Sequence, residues 1–592
     1  MSDQLRYQLW IVAAAAVIFL VDLGGAGLWD MDEALYTTCA REMIARNDLV
    51  VPWFNGQMFP EKPPLMFWGM MAGFQLFGVN EWGARFASAV LGVGTALLAF
   101  HLGRILFNLR VGLWAGLITA STIIFTVSAR AATVDSALTF FTTLAMLLFL
   151  LAWREFQANG RDNRFRQWTL LAGSYACVGV AVLGKGPVGM LLPLAAMGLY
   201  LLVANGWRKL FWSAWWMRPF TALLVVAAVA VPWYALVGYR TNGEWLRVFF
   251  LEFNLRPFKQ PILGHGDVSS LDRIRAALAS LAYYFYQVPA VLVGFFPWSV
   301  FLGPTLVDTI RRIRNRGEAV GRGADTATSR EDEVRWRDGT IFACCWFAVW
   351  LVFWSVCKTK LPHYLLPAYP ALALLTACFV ERWLANPAAV RWVWLRNAWI
   401  SMVLTGVGIM IALPIVAARY LPGEWLLTLV GLPLVLGGIG CWKSSLRGEA
   451  GRTAMIFTVT AVVFLVGLFA FGARRVDRYQ NGPPMLAAIR ADSLGVNQPP
   501  IATYRFFRES TVYCAGYPVA RCEDGDAGRS ARKDLEKFFA EAAPKVKGRA
   551  YVITTSEHER ELRESFPDRF QAIFRQRRFL GPGEMVVLRA GS

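Results

Sequence analysis

Apolar runs of about 20 residues recur along the chain, separated by short segments in which Lys and Arg collect. Runs of that length cannot be open strands in lipid, because bare sheet edges would leave backbone groups unsatisfied. They predict helical spans near 8–28, 64–80, 83–103, 111–129, 135–153, 168–184, 187–204, 219–238, 284–304, 340–357, 364–380, 397–416, 424–442 and 453–472. Segment 64–80 is short and Gly-rich, and the basic loops alternate consistently only if it lies along the surface. That leaves about 13 crossings.

Beyond 473 the pattern changes. Short β-rich runs (PIATYRFF, STVYCAGYPV, RAYVITT, EMVVLRA) alternate with polar helical stretches (SARKDLEKFFAEAAP, SEHERELRESF), which predicts a small α/β domain over 473–592 after a membrane domain over 1–472. Two outer loops, 29–82 and 239–283, are long enough to build a site.

Composition agrees with a polytopic membrane protein: 56 % of the residues are hydrophobic and 17 % charged. The net charge of +19 then reflects the positive-inside bias. Basic loops from Arg104 and Arg110 through to Lys443, Arg447 and Arg452 mark the cytoplasmic side, with the amino terminus inside and the carboxy-terminal domain outside. A nucleic-acid partner is excluded on that ground. A cleaved signal peptide is the alternative for the first run. Most of the nine cysteines fall within apolar spans. Cys514 and Cys522 lie in the outer domain, where a disulfide and two free thiols both stay open.

The candidate chemistry collects at the outer face. WDMDEALYTTCAREM (29–43) has an apolar stripe at helical spacing and carries Asp30, Asp32 and Glu33, of which one suffices as a helix cap. FPEKPP holds Glu61 and Lys62 between prolines. Lys185 interrupts AVLGKGPVGM where a charge within a span is expensive. KTKLPHYLLP puts Lys358, Lys360, His363 and Tyr364 at the outer end of two spans, and Asp135 stands near Arg130, either as its ion-pair partner or as a site acid. Outer lysines suit a lipid phosphate, and outer carboxylates suit an attacking group.

In order along the chain, DEALYTTCAREMIARNDLVVPWFNGQMFPEKPP, TVDSALTF, LGKGP, NLRPF followed by His265, FFPW and KTKLPHYLLP resemble the aminoarabinose transferases of lipid A, within the wider group related to protein O-mannosyltransferases. The resemblance covers about 1–380. It implies a C-type glycosyltransferase fold in the bacterial inner membrane, a polyprenyl-phosphate sugar donor, and a lipid A, glycolipid, glycan or protein acceptor on the periplasmic side. It further implies Asp32, Glu33 and Asp135 as catalytic acids, Lys62, Lys185, Lys360 and Tyr364 as substrate and phosphate binders, and Glu61 with His265 as ligands of a divalent ion (Zn, Mg or Mn). A monomer is expected. The reading from another class is a non-catalytic transporter or flippase of a lipid-linked sugar, which would spread its charges through the membrane depth.

Overall fold

The computed structural model describes residues 1–160, 162–255, 285–314, 327–493, 495–524, 530–542, 549–567 and 569–590. His265, NLRPF beyond Leu255 and most of the second outer loop lie outside the described residues. Among those described, 11 helices are long and apolar enough to cross a membrane, and up to 13 if each of two bent helix pairs forms one span. These pairs, α5 (Leu109–Ala120) with α6 (Ile123–Arg130) and Gln287–Gly294 with Trp298–Arg314, bend by 64° and 114°. Runs 111–129 and 284–304 are therefore broken helices and not straight spans.

The amino-terminal helix is α1 (Asp3–Leu20), followed in the outer loop by α2 (Asp32–Ala45) and α3 (Leu65–Phe77). With 13 residues α3 is about 20 Å long, short of the roughly 30 Å of hydrocarbon. It packs against α4 (Glu81–Leu106). Next come α7 (Asp135–Asn159), α8 (Arg164–Lys185) and α9 (Val188–Asn205). The α7–α8 packing is among the most extensive in the molecule.

Between α2 and α3, β1 (Trp53–Phe54) and β2 (Gln57–Met58) pair antiparallel around Asn55 and Gly56, whose φ of 53° and 75° fit the turn that an Asn-Gly pair favours. At the other end of the chain the last apolar helical stretch begins at Ala450 and ends at Asp477, and a separate helix, Gly482–Asp492, follows it. A five-stranded mixed sheet follows: β3 (Ile501–Tyr504), β4 (Ala520–Cys522), β5 (Ala550–Thr555), β6 (Phe570–Arg577) and β7 (Glu584–Ala590), in the order β4-β3-β5-β7-β6. Within STVYCAGYPV, the expected strand is instead a helix, Glu509–Ala515. The Asp30 carboxylate accepts from the Ser510 N–H at 3.1 Å and pairs with Arg508 at 2.6 Å, so the amino end of this helix is capped from the first outer loop. Cys514 and Cys522 are both free, with burial pushing their thiols up to about 11 and about 12.

The domain is fixed to the first outer loop along this contact. Arg41 donates to the Tyr513 and Val512 carbonyls at 2.7 and 3.1 Å, and Asn55 exchanges two hydrogen bonds with the Val519 backbone at 2.8 and 2.7 Å. Backbone acceptors are insensitive to side-chain identity, so the partners of Arg41 and Asn55 leave no trace in the sequence.

Candidate active site

Opposite ends of antiparallel neighbours meet at the centre of the site. Asp135 is the first residue of α7 and Lys185 the last of α8, so both helix dipoles favour the charge placed there. The two side chains are almost fully enclosed, and Lys185 Nζ lies 2.5 Å from Asp135 Oδ1. The chain leaves α8 through Gly186 at φ 73°, where any Cβ would also meet Phe249 Cζ at 2.6 Å. Glycine is thus required on two counts. Arg130 is not the partner of Asp135: it donates to the carbonyls of Ile18, Phe19, Val21 and Asp22 and closes the carboxy end of α1.

Around this pair stand residues from four other segments. His363 Nε2 is 3.8 Å from Asp135 Oδ2, and the Tyr364 ring lies under Lys185 Nζ at 4.6 Å. Asp32, Lys62 and Asp135 all lie within electrostatic reach of Lys185 or His363. Burial holds the Lys62 ammonium below its ordinary value, Lys185 adding to the effect and Glu61 opposing it. Burial likewise raises the Glu61 carboxyl, with Asp32 and Glu509 adding to the rise against the pull of Lys62. Tyr36 stands one helical turn after Asp32; burial first, then the Asp32 charge, keeps the phenol protonated far above its ordinary value. Asp32 is exposed, and Met31 before it is held at φ 68°, a conformation costly for a non-glycine residue and common at functional sites.

Asp32, Glu61, Lys62, Asp135, Lys185 and Tyr364 are therefore brought together, with Tyr36 and His363 added to them. Glu33 is not. One residue further round α2, it faces inward and forms a two-pronged pair with Arg85 at 2.8 and 2.9 Å while accepting from the N–H of Trp29 and Ala132. Arg85 spends its other donors on the Leu23, Ala26 and Gly27 carbonyls. Both carboxylate oxygens of Glu33 are spent, so its catalytic assignment gives way to a structural one. Lys360 stands three residues before His363 with its ammonium on the Ser355 carbonyl at 2.5 Å. No group of three His, Cys, Asp or Glu side chains able to hold a metal converges among the described residues. Glu61 instead has Lys62 as its strongest charged neighbour.

The Glu33–Arg85 pair yields a stability prediction. Burial alone would raise the Glu33 carboxyl, but the Arg85 charge and hydrogen bonds outweigh it and hold it below its ordinary value. Its stabilisation is present above the unfolded pKa of about 4.3 and is lost as pH falls through the lower folded value. Glu33→Ala strands a buried guanidinium, an expected cost of about 3–5 kcal/mol, measured as a lower melting temperature in detergent at neutral pH. A melting temperature equal to wild type would show the pair to be dispensable.

A polytopic scaffold with a charged site on the loops at one of its faces and a small sheet domain joined to the first of them has the C-type glycosyltransferase fold. The same fold is seen in the crystal structure of ArnT from Cupriavidus metallidurans bound to undecaprenyl phosphate, which matches with a TM-score of 0.74 at 21 % identity over 98 % of this chain and 97 % of that one. Residues 61–235 match the family model described as dolichyl-phosphate-mannose-protein mannosyltransferase. The undecaprenyl phosphate-α-4-amino-4-deoxy-L-arabinose arabinosyl transferase of Pseudomonas aeruginosa (strain LESB58) is 29 % identical over 76 % of this chain and 74 % of its own length. An uncharacterised protein of Aquifex aeolicus is 28 % identical, over 63 % of this chain and 64 % of its own length. The chain is thus similar to the aminoarabinose transferases and to the protein O-mannosyltransferase-related group, as its ordered motifs indicated.

Proposed function

We propose that the protein transfers a sugar from an undecaprenyl (polyprenyl) phosphate to a lipid A, glycolipid, glycan or protein acceptor at the periplasmic face of a bacterial inner membrane. The observation that carries this reading is the convergence of two lysines, Lys62 and Lys185, with the exposed Asp32 on one face of the membrane domain. The names of the similar proteins, which specify an undecaprenyl phosphate sugar, support the donor class. In this reading the amino terminus is cytoplasmic and the sheet domain periplasmic.

The reaction is displacement at the anomeric carbon with the lipid phosphate leaving. Negative charge builds on that phosphate as the bond breaks, and Lys62 and Lys185, held in a partly dehydrated site, stabilise it without reorganising. Lys360, at the turn before His363, adds to the positive field. Asp135 keeps Lys185 charged and aimed, and Tyr364 carries the ammonium over its ring face. On the opposite side of the sugar, Asp32 takes the proton of a hydroxyl acceptor.

The test is purified protein in detergent with a panel of undecaprenyl phosphate sugars, following release of undecaprenyl phosphate by mass spectrometry in wild type and Asp32→Ala. Slow attack by water reports the donor without the acceptor being known. Release that depends on Asp32 is expected. No release from any donor, with donor binding intact and liposome flipping present, would replace the transferase by the transporter.

A further inference from the structure

The chain enters the catalytic cluster through a backbone conformation that the side chain at that position does not explain. Met31, the residue before Asp32 and the amino-terminal cap of α2, has φ 68° and ψ −114°. That is the mirror image of extended backbone, a region that glycine enters freely and that residues with a Cβ avoid. Met31 is 72 % exposed, so packing of its side chain does not hold it there. The hold comes from its neighbours on both sides. After it, Glu33 is paired with Arg85 at 2.8 Å and accepts from the Trp29 N–H at 3.1 Å. Before it, Asp30 pairs with Arg508 at 2.6 Å and accepts from the Ser510 N–H at 3.1 Å. Arg508 lies over the Phe506 ring at 5.3 Å, and the Trp29 ring stands 6.0 Å from that of Phe579, so the sheet domain grips residues 29 and 30 together. A strained residue persists only where its surroundings over-determine it, and such residues gather at functional sites.

We propose that Asp30 and Arg508 are positioning residues for Asp32: by gripping Asp30, the sheet domain holds the strained turn at Met31 and with it the place of the Asp32 carboxylate. This rests on the transferase reading above. Asp32 is the first residue of α2 and is exposed, with strained Met31 on one side and buried Glu33 on the other. Arg85 fixes Glu33. Once Asp30 is released, Met31 is free to rotate to an ordinary conformation, and residues 30–32 take up the rotation because Glu33 cannot. The Asp32 carboxylate then leaves its place for most of the time. Relaxing a residue strained in this way shifts a population by about 5–150-fold, which sets the scale of the expected loss.

The experiment uses the full chain in detergent and reads release of undecaprenyl phosphate in water from whichever donor the wild type hydrolyses. Asp30→Ala is expected to lower kcat by about 5–150-fold and to leave the KM for donor near wild type. Arg508→Gln is expected to act in the same direction, and Arg508→Lys, which keeps the charge, to lose less. The comparison that separates positioning from anchoring repeats Asp30→Ala in a Met31→Gly background, where the turn holds no strain to release. There the loss in kcat is expected to be much smaller, while the fall in melting temperature from the lost helix cap is the same in both backgrounds. Equal losses of kcat in the two backgrounds overturn the positioning role and leave Asp30 as an anchor of the domain. A pH–rate profile that shifts in opposite directions in Asp30→Ala and Arg508→Gln also overturns it, since that is the mark of a charge effect on Asp32. Full turnover in Asp30→Ala overturns it outright. Amide hydrogen exchange needs no donor. The Ala34 and Leu35 N–H groups, bonded to the Trp29 and Met31 carbonyls at 3.2 and 3.0 Å, are expected to exchange faster in Asp30→Ala, and unchanged exchange overturns the grip on the turn. Absence of release from every donor in the wild type is instead the failure of the transferase reading, and the exchange then decides the positioning role alone.

Discussion

Asp32→Asn is expected to lower the rate of transfer to a hydroxyl acceptor by about 10²–10⁴-fold, the range over which a positioned general base contributes. Asn keeps the size of the side chain, so the space beside Tyr36 stays filled while the proton acceptor is lost. The loss should fall on kcat. Donor binding rests on the lysines, which the substitution leaves in place, and the KM for donor should stay near wild type. A phosphate acceptor is already ionised and needs no base, so with such an acceptor the same variant should be only modestly slower. The measurement is a pair of steady-state assays on one preparation, one per acceptor class. An equal loss with both would show that Asp32 serves to position substrate or hold the site together, and the base would have to be sought elsewhere.

The contrast between Asp30, Asp32 and Glu33 shows where the sequence stops being sufficient. Three acids next to an apolar stripe read as more than one cap requires, and that surplus was legible. Their separate fates were not. Met31 at φ 68° and the 100° turn per helical residue send the three side chains in three directions. Asp30 does cap a helix, but one that begins at Glu509. Its partner is too distant in sequence for any local pattern to show, and the same capping explains why a β-rich stretch of sequence is helical there. Glu33 became structural because Arg85, four residues into an apolar helix and near its outer end, takes both its oxygens. An arginine this close to the start of an apolar span was the available signal. Strand β6, with its mixed polar pattern FQAIFRQR, was also missed, since it lies at the sheet edge where alternation weakens. What the pattern did carry was whatever depends on nearest neighbours: the long apolar helices and the shortness of the apolar helix within 64–80.

Lys185 and Asp135 were each legible as charges in an expensive place, and their pairing, which only the packing of α7 on α8 reveals, makes the second large prediction. Lys185→Met keeps the length and apolar stem but removes the ammonium. Asp135 then stands enclosed, with His363 at 3.8 Å as the one other basic group at ion-pair distance among the described residues. Breaking such a pair from one side costs about 3–5 kcal/mol, and loss of a preorganised donor to the leaving group costs about 10²–10³ in kcat. The two losses are separable. In Lys185→Met/Asp135→Asn no buried charge is stranded, so the melting temperature in detergent should return most of the way to wild type. Activity should not return, because the phosphate still lacks its cation. Recovery of both stability and turnover in the double variant would make the pair a structural strut alone and leave Lys62 as the cation that carries the leaving group.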